Sequence, residues 1–209
     1  MKLFKPTRKK VTFDPDLEED FDSRKIFNEL LGFKQAAQNF EKNCEDLSRE
    51  NLSTLKELFK AKYVKIRDEA QKALSNRHML KAGSSFPSWR KTDQQFESIV
   101  NDHLSDLLPI IVSVINKVLK IQLYDVQIIA GIELYQKKVL EIKTGEGKTF
   151  IIPIAAALYG IRAKLLNQIY LDQLSKRNKP VLPHHYFQVK VVTANDYLAR
   201  RDYSFKHAI

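Results

Sequence analysis

The chain has 209 residues, a single cysteine and a formal net charge of +10. That length suffices for one or two domains with a real core, and the lone thiol of Cys44 excludes an internal disulfide. The positive charge favours an anionic partner, whether nucleic acid, acidic lipid headgroups or an acidic protein, without choosing among them.

Residues 1–24 read as a mobile charged tail. "MKLFKPTRKK" is basic, and "DPDLEED" follows where a signal peptide would place its apolar stretch. Residues 25–120 read as a helical region. Cys44 lies in "EKNCEDLSRE", a charged stretch with no histidine nearby, which argues against a nucleophile. In "ENLSTLKELFKAKYVKI" the residues Leu52, Leu55, Phe59, Tyr63 and Ile66 recur at three- and four-residue steps and form one apolar stripe, with Ser48 as the expected N-cap. Glycine, serines and proline mark residues 81–93 as a loop, anchored by Trp89.

Helix resumes from Gln94 to Lys120. Phe96, Ile99, Val100, His103 and Leu104 share a face, as do Ile110, Ile111, Val114 and Val118. On such a face His103 is expected to be a satisfied core residue, and Pro109 to mark a junction or kink. The most apolar run, "LLPIIVSVI", is closed by Lys117 and Lys120, so no segment is expected to span a bilayer.

The pattern changes over residues 121–209. "VLEIK" (139–143) and "YFQVKVVTA" (186–194) are β-rich, and the apolar "TFIIPIAAALYG" between them reads as a helix extending to about Ser175. Strand, glycine turn, helix and strand make a βαβ unit. The expected class is therefore α/β, a helical region followed by a parallel sheet. His184 and His185 would point to opposite faces of a strand and have no acidic or cysteine partner near them, which disfavours a metal site.

The glycine turn is "EIKTGEGKTF". A nucleotide's phosphates need many donors at once. A glycine loop supplies backbone N–H groups without side chains in the way, and the following helix adds its positive end. Thr144, Gly145, Glu146 and Gly147 would form this cradle, Lys148 would reach the phosphates, and the Thr149 hydroxyl would ligate Mg²⁺. Ile142 stands where the strict loop pattern has its first glycine, but the strand before and the helix after argue against a chance turn.

Upstream lies "YDVQIIAGIELYQKKVLEIKTGEGKT" and downstream "VKVVTANDYLARRD". The Tyr-Asp-Val-Gln stretch, the Thr-Gly-Glu-Gly-Lys-Thr loop and the Asn-Asp-Tyr-Leu-Ala-Arg-Arg-Asp block, in this order, resemble the amino-terminal part of SecA, the ATP-driven motor of bacterial and plastid protein export. The resemblance is specific from Leu123 to Asp202. It implies a partial P-loop, RecA-like motor domain over 121–209, with ATP and Mg²⁺ as ligands and Gln127 reading the adenine edge. It also implies that Arg200 and Arg201 contact a moving substrate. Preprotein, a Sec-type membrane channel and a complementary motor half are the implied partners, with anionic lipid as a further one. The implied location is the cytoplasm or plastid stroma, peripheral to the membrane. Gln122 departs from the family, standing where an arginine is common.

Hydrolysis in such motors uses an apolar strand ending in Asp-Glu to hold Mg²⁺ and orient water. No glutamate follows Glu146, the later aspartates Asp172, Asp196 and Asp202 follow no apolar strand, and Asp68-Glu69 lies in an amphipathic helix. The chain is accordingly expected to be the front part of a translocation motor, binding ATP without hydrolysing it alone. The other function classes are a helicase-like fragment acting on nucleic acid and a non-catalytic interaction protein that retains the nucleotide-binding fold.

Overall fold

The computed structural model describes residues 28–29, 36–75, 86–142, 147–175, 187–192, 196–197, 199–200 and 203, and six helices are delimited among them. They are α1 (Ala36–Ser48), α2 (Leu52–Ser75), α3 (Phe86–Asp102), α4 (Leu104–Leu119), α5 (Asp125–Tyr135) and α6 (Lys148–Ser175). The tail at 1–24, the residues Thr144, Gly145 and Glu146, and the pair His184-His185 lie outside the described residues, as does the Trp89 side chain.

Each helix buries a stripe at helical spacing. On α2 the stripe is Leu55, Tyr63, Ile66 and Ala70, while Leu52, expected on it, is 48% exposed. On α3 it is Phe96 and Val100, on α4 Leu104, Leu107, Leu108, Ile111, Val112 and Ile115, and on α6 Ile151, Ile154, Leu158, Ile161, Leu165 and Ile169. These side chains form one continuous core running from Phe40 on α1 to Ile169 on α6. Helices α1 and α2 pack on α4, α3 packs on α6, and α5 lies along α6.

Three helix boundaries differ from their expected places. Asn51, not Ser48, caps α2: its side-chain oxygen accepts from the Thr54 N–H at 2.9 Å, whereas the Ser48 hydroxyl donates back to the Glu45 carbonyl at the end of α1. Helix α3 begins at Phe86, inside the expected loop, because Pro87 occupies the first turn, where its missing N–H is no loss. The bend expected at Pro109 falls at His103, where α3 and α4 meet at 76°; Pro109 sits buried within α4. His103 is itself buried, with Nε2 2.8 Å from a Glu69 carboxylate oxygen, a satisfied core histidine.

Two helices end on left-handed lysines. Lys120 has φ 53° and Lys137 φ 66°. The N–H after each turns back to a carbonyl of the last helical turn, Ile121 to Asn116 and Lys138 to Glu133, both at 3.1 Å.

Among the described residues the expected parallel sheet, and with it the α/β class, is not found. Among the described residues no strand forms, and only Leu140 makes an isolated bridge. The segments 139–142 and 188–192 are irregular, and Val139 is 77% and Val192 90% exposed. β-branched residues favour a strand only when neighbouring strands give their faces something to pack on, and a lone pair of short strands is marginal in water. The second segment is held differently. The Asn167 side-chain amide on α6 donates to the Phe187 carbonyl at 2.7 Å and accepts from the Phe187 N–H at 2.9 Å. The Phe187 ring meets Tyr170 edge-on at 6.4 Å.

The reading of "TFIIPIAAALYG" and the following residues as helix to about Ser175 matches α6, but its continuity changes another expectation. Lys148–Asp172 is long and apolar enough to cross a membrane, yet half of that stretch is buried inside the protein. Leu158 and Leu165 are fully covered by neighbouring helices, as befits a core helix.

Helix α5 approaches α6 closely at one point. A Cβ placed on Gly131 would lie 2.7 Å from Ile154 Cβ and 2.8 Å from its Cγ2, atoms that cannot retreat without moving the backbone. Gly131→Ala should therefore destabilise the fold by about 1–3 kcal/mol despite alanine's better helix propensity. Gly160, on α6, has nothing within 4 Å of its Cβ position, so Gly160→Ala should be neutral or stabilise by about 0.5–1 kcal/mol. Urea unfolding of the two variants checks the opposite signs.

Candidate functional site

The chain enters α5 on a fixed path. The Leu123 N–H donates to the Asn116 side chain at 3.1 Å, which places Tyr124 at the N-cap. Three residues on, the Gln127 side-chain oxygen reaches back to accept from the Tyr124 N–H at 3.1 Å. Gln127 is thereby buried to 6% exposure and its orientation is set.

Helix α6 opens at a turn that only glycine suits. Gly147 has φ +69°, a conformation costing other residues roughly 1–2 kcal/mol. A Cβ there would also stand 2.5 Å from Gln127 Nε2 and 3.2 Å from Phe150 Cδ2. The Gln127 carboxamide thus lies directly against the glycine that ends the loop. The Phe150 N–H closes the first turn on the Gly147 carbonyl at 2.9 Å. Lys148 follows, exposed, and then Thr149, half-buried.

Helices α5 and α6 run in the same direction. Gln127 faces Gly147, Gly131 faces Ile154, and the Tyr159 hydroxyl donates to the Tyr135 carbonyl at 2.9 Å. Their N-termini therefore meet. Each N-terminus carries a partial positive charge from its backbone dipoles; Lys148 adds a full positive charge, and Asp125 in the first turn of α5 a negative one. The structure brings Gln127, Gly147, Lys148 and Thr149 to a single end of the fold. The N–H donors of two helix starts and the ammonium of Lys148 at this end suit an anionic group such as a phosphate.

The downstream block is only partly described. Asp196, Tyr197, Ala199 and Arg200 are helical and exposed, while Asn195, Arg201 and Asp202 lie outside the described residues. Gln122 is exposed. Burial, with Asp125 adding to it, pushes the Cys44 thiol up to about 12, so it remains an uncharged thiol rather than a nucleophile. Two residues that the sequence reading passed over matter here. Gly131 sets the α5–α6 approach, and its signal was a glycine inside an apolar helix. Arg162 is a buried charge on α6, and its signal was a lone arginine at a stripe position four residues from Leu158.

The family described as SecA DEAD-like domain matches residues 19–179. The protein translocase subunit SecA of Wolinella succinogenes is 31% identical over 154 residues, covering 74% of this chain and 14% of that protein. Its counterpart in Desulforudis audaxviator is 38% identical over 103 residues, covering 47% of this chain and 9% of that protein. The one in Dichelobacter nodosus is 36% identical over 117 residues, covering 54% and 10%. The chain spans about a seventh or less of the length of these relatives. No solved structure matches. With the family match covering most of its length, this chain belongs to the SecA DEAD-like domain family.

Proposed function

We propose that the chain is the ATP-binding segment of a protein-translocation motor, with the nucleotide held where α5 and α6 begin. The observation that carries this reading is the contact between Gln127 and Gly147. A side-chain amide, the kind of group suited to adenine, lies beside the last glycine of the loop and ahead of Lys148, its oxygen also accepting from the Tyr124 N–H. In this reading Thr144, Gly145, Glu146 and Gly147 supply backbone N–H groups and Lys148 neutralises phosphate charge. The Thr149 hydroxyl would hold Mg²⁺ delivered with the nucleotide, and Gln127 selects the base. Mg²⁺ would supply the charge compensation that a polyphosphate requires.

The curated relatives are named protein translocase subunits. By that likeness the partners are a preprotein, a Sec-type channel and a complementary motor half. The working place is the cytoplasmic or stromal side of the membrane, where the net charge of +10 suits anionic lipid. Nucleic acid is disfavoured, since the motif block after the second β-rich run is that of translocases.

Lys148→Ala removes a charge-assisted contact and is expected to weaken ATP binding by roughly 10–100-fold, read by titration with a fluorescent ATP analogue. Equal binding by both proteins would remove the phosphate role.

Gln127→Ala is expected to narrow the preference for ATP over GTP, because only adenine loses a matched pair of contacts. Competition between the two nucleotides reads that ratio independently of the stability lost with the helix cap. Equal competition already in the parent protein would sink the assignment of Gln127.

A polypeptide of these 209 residues is expected to turn over ATP far more slowly than about one per second, the lower end of ordinary enzyme rates. It has no glutamate beyond Glu146 to orient water, and an arginine supplied across a motor cleft is alone worth roughly 10³–10⁵ in rate. Phosphate release, with Lys148→Ala as the control for contaminating ATPase, measures this. Turnover that appears only on adding a polypeptide with the complementary half would identify a two-chain motor.

A further inference from the structure

A second constellation of buried polar groups lies at the far end of the α5–α6 pair. Arg162, on the buried stripe of α6, is 7% exposed. Its Nε is 2.8 Å from Asp93 Oδ1, and its Nη2 donates to Asp93 Oδ2 at 3.2 Å, a two-pronged grip on α3. Glu97, one turn along α3, has its carboxylate 3.4 Å from Arg162 Nη1. The same carboxylate accepts from Lys137 Nζ at 2.5 Å, and Lys137 is the left-handed residue just past the end of α5. The guanidinium carbon lies 5.0 Å from the Tyr159 ring centre and 5.8 Å from that of Tyr135, whose rings meet edge-on at 5.1 Å. Burial pushes the Tyr135 hydroxyl up to about 12, against the pull of the nearby guanidinium, so it stays neutral.

Such a cluster is an expensive way to gain stability, since apolar residues of the same volume would serve as well or better. What it imposes is geometry. A planar fork gripping one carboxylate, flanked by two rings, admits one position of α6 relative to α3 and α5. The Gly131–Ile154 contact and the Tyr159–Tyr135 hydrogen bond already tie α6 to α5. The fork adds a charged fixed point that ties both to α3. Arg162 stands about 20 Å along the helix axis from Lys148, at 1.5 Å per residue, and a helix transmits an axial shift along its length with little loss.

We propose that Arg162 is a positioning residue for the nucleotide site. By locking α6 to Asp93 and Glu97 of α3 and to the end of α5, it sets where Gly147 and Lys148 stand relative to Gln127. The functional half of this inference rests on the ATP-binding reading; the register half does not.

The test uses the full chain with Cys44→Ala and spin labels at Tyr124→Cys and Lys148→Cys, two exposed positions at the starts of α5 and α6. Pulsed electron paramagnetic resonance then reads the distance between the helix starts. One narrow distance is expected with Arg162 in place. Arg162→Met/Asp93→Asn removes the charge on both sides of the grip and so keeps the fold, with melting checked by circular dichroism. In it the distance should shift by roughly 2 Å or spread, and unlabelled protein carrying the same two substitutions should bind ATP about tenfold more weakly or worse. Arg162→Lys, which keeps the charge but not the fork, should fall between. An unchanged distance in the folded double variant overturns the inference, and so does a changed distance with ATP affinity intact. A changed distance in a chain whose parent binds no ATP upholds the register role and sinks the nucleotide reading instead. A tenfold loss that Arg162→Lys partly restores supports both.

Discussion

The parallel packing of α5 on α6 is the constraint from which the rest of the arrangement follows. Antiparallel neighbours place opposite ends of their dipoles together, which is electrostatically comfortable. Here two N-termini are brought side by side, and the contact that allows it is the missing side chain at Gly131, against which Ile154 packs with no room for a methyl group. Once the helices run in the same direction, Gln127 of one meets Gly147 of the other, and the N-terminal ends of both dipoles lie together. The left-handed Lys137 turns the chain away from the end of α5.

The helical stripes were legible because they depend on spacing alone. Leu55, Tyr63 and Ile66 on α2, or Phe96 and Val100 on α3, could be read as buried from three- and four-residue recurrence, and they are. The misplaced features all depend on something outside the local sequence. Ser48 and Asn51 are both good caps, and which one serves depends on where α1 stops. Pro109 was expected to bend the chain, but helix–helix packing placed the bend at His103, where Glu69 of α2 reaches the imidazole. The β-rich runs had the composition of strands without neighbours to pair with. The loop motif named Lys148 and Thr149 directly, whereas the meeting of Gln127 with Gly147 joins residues twenty apart and no local pattern reveals it.

Buried charge gives the molecule a division of labour between its two ends. At the loop end polarity is open, with Lys148 and Tyr124 exposed to solvent. At the far end it is enclosed, with Arg162 paired to Asp93 and Glu97 beside aromatic rings. The buried face of α6 thus carries Arg162 where α3 and α5 can both hold it.

Asn167 has a consequence of its own. Its amide meets the Phe187 backbone as a neighbouring strand would, one donor and one acceptor in the same plane. Only the carboxamide of asparagine or glutamine offers that pairing at neutral pH, and glutamine is one methylene too long for the same reach. Hydrolysis of this one amide, the commonest chemical ageing reaction of asparagine, would exchange the donor for a second, charged acceptor facing the Phe187 carbonyl. One bond of the pair would become a repulsion, while the Phe187 N–H would still have an oxygen to donate to. The hold of α6 on residues 187–192 would then loosen through the replacement of a single nitrogen by oxygen.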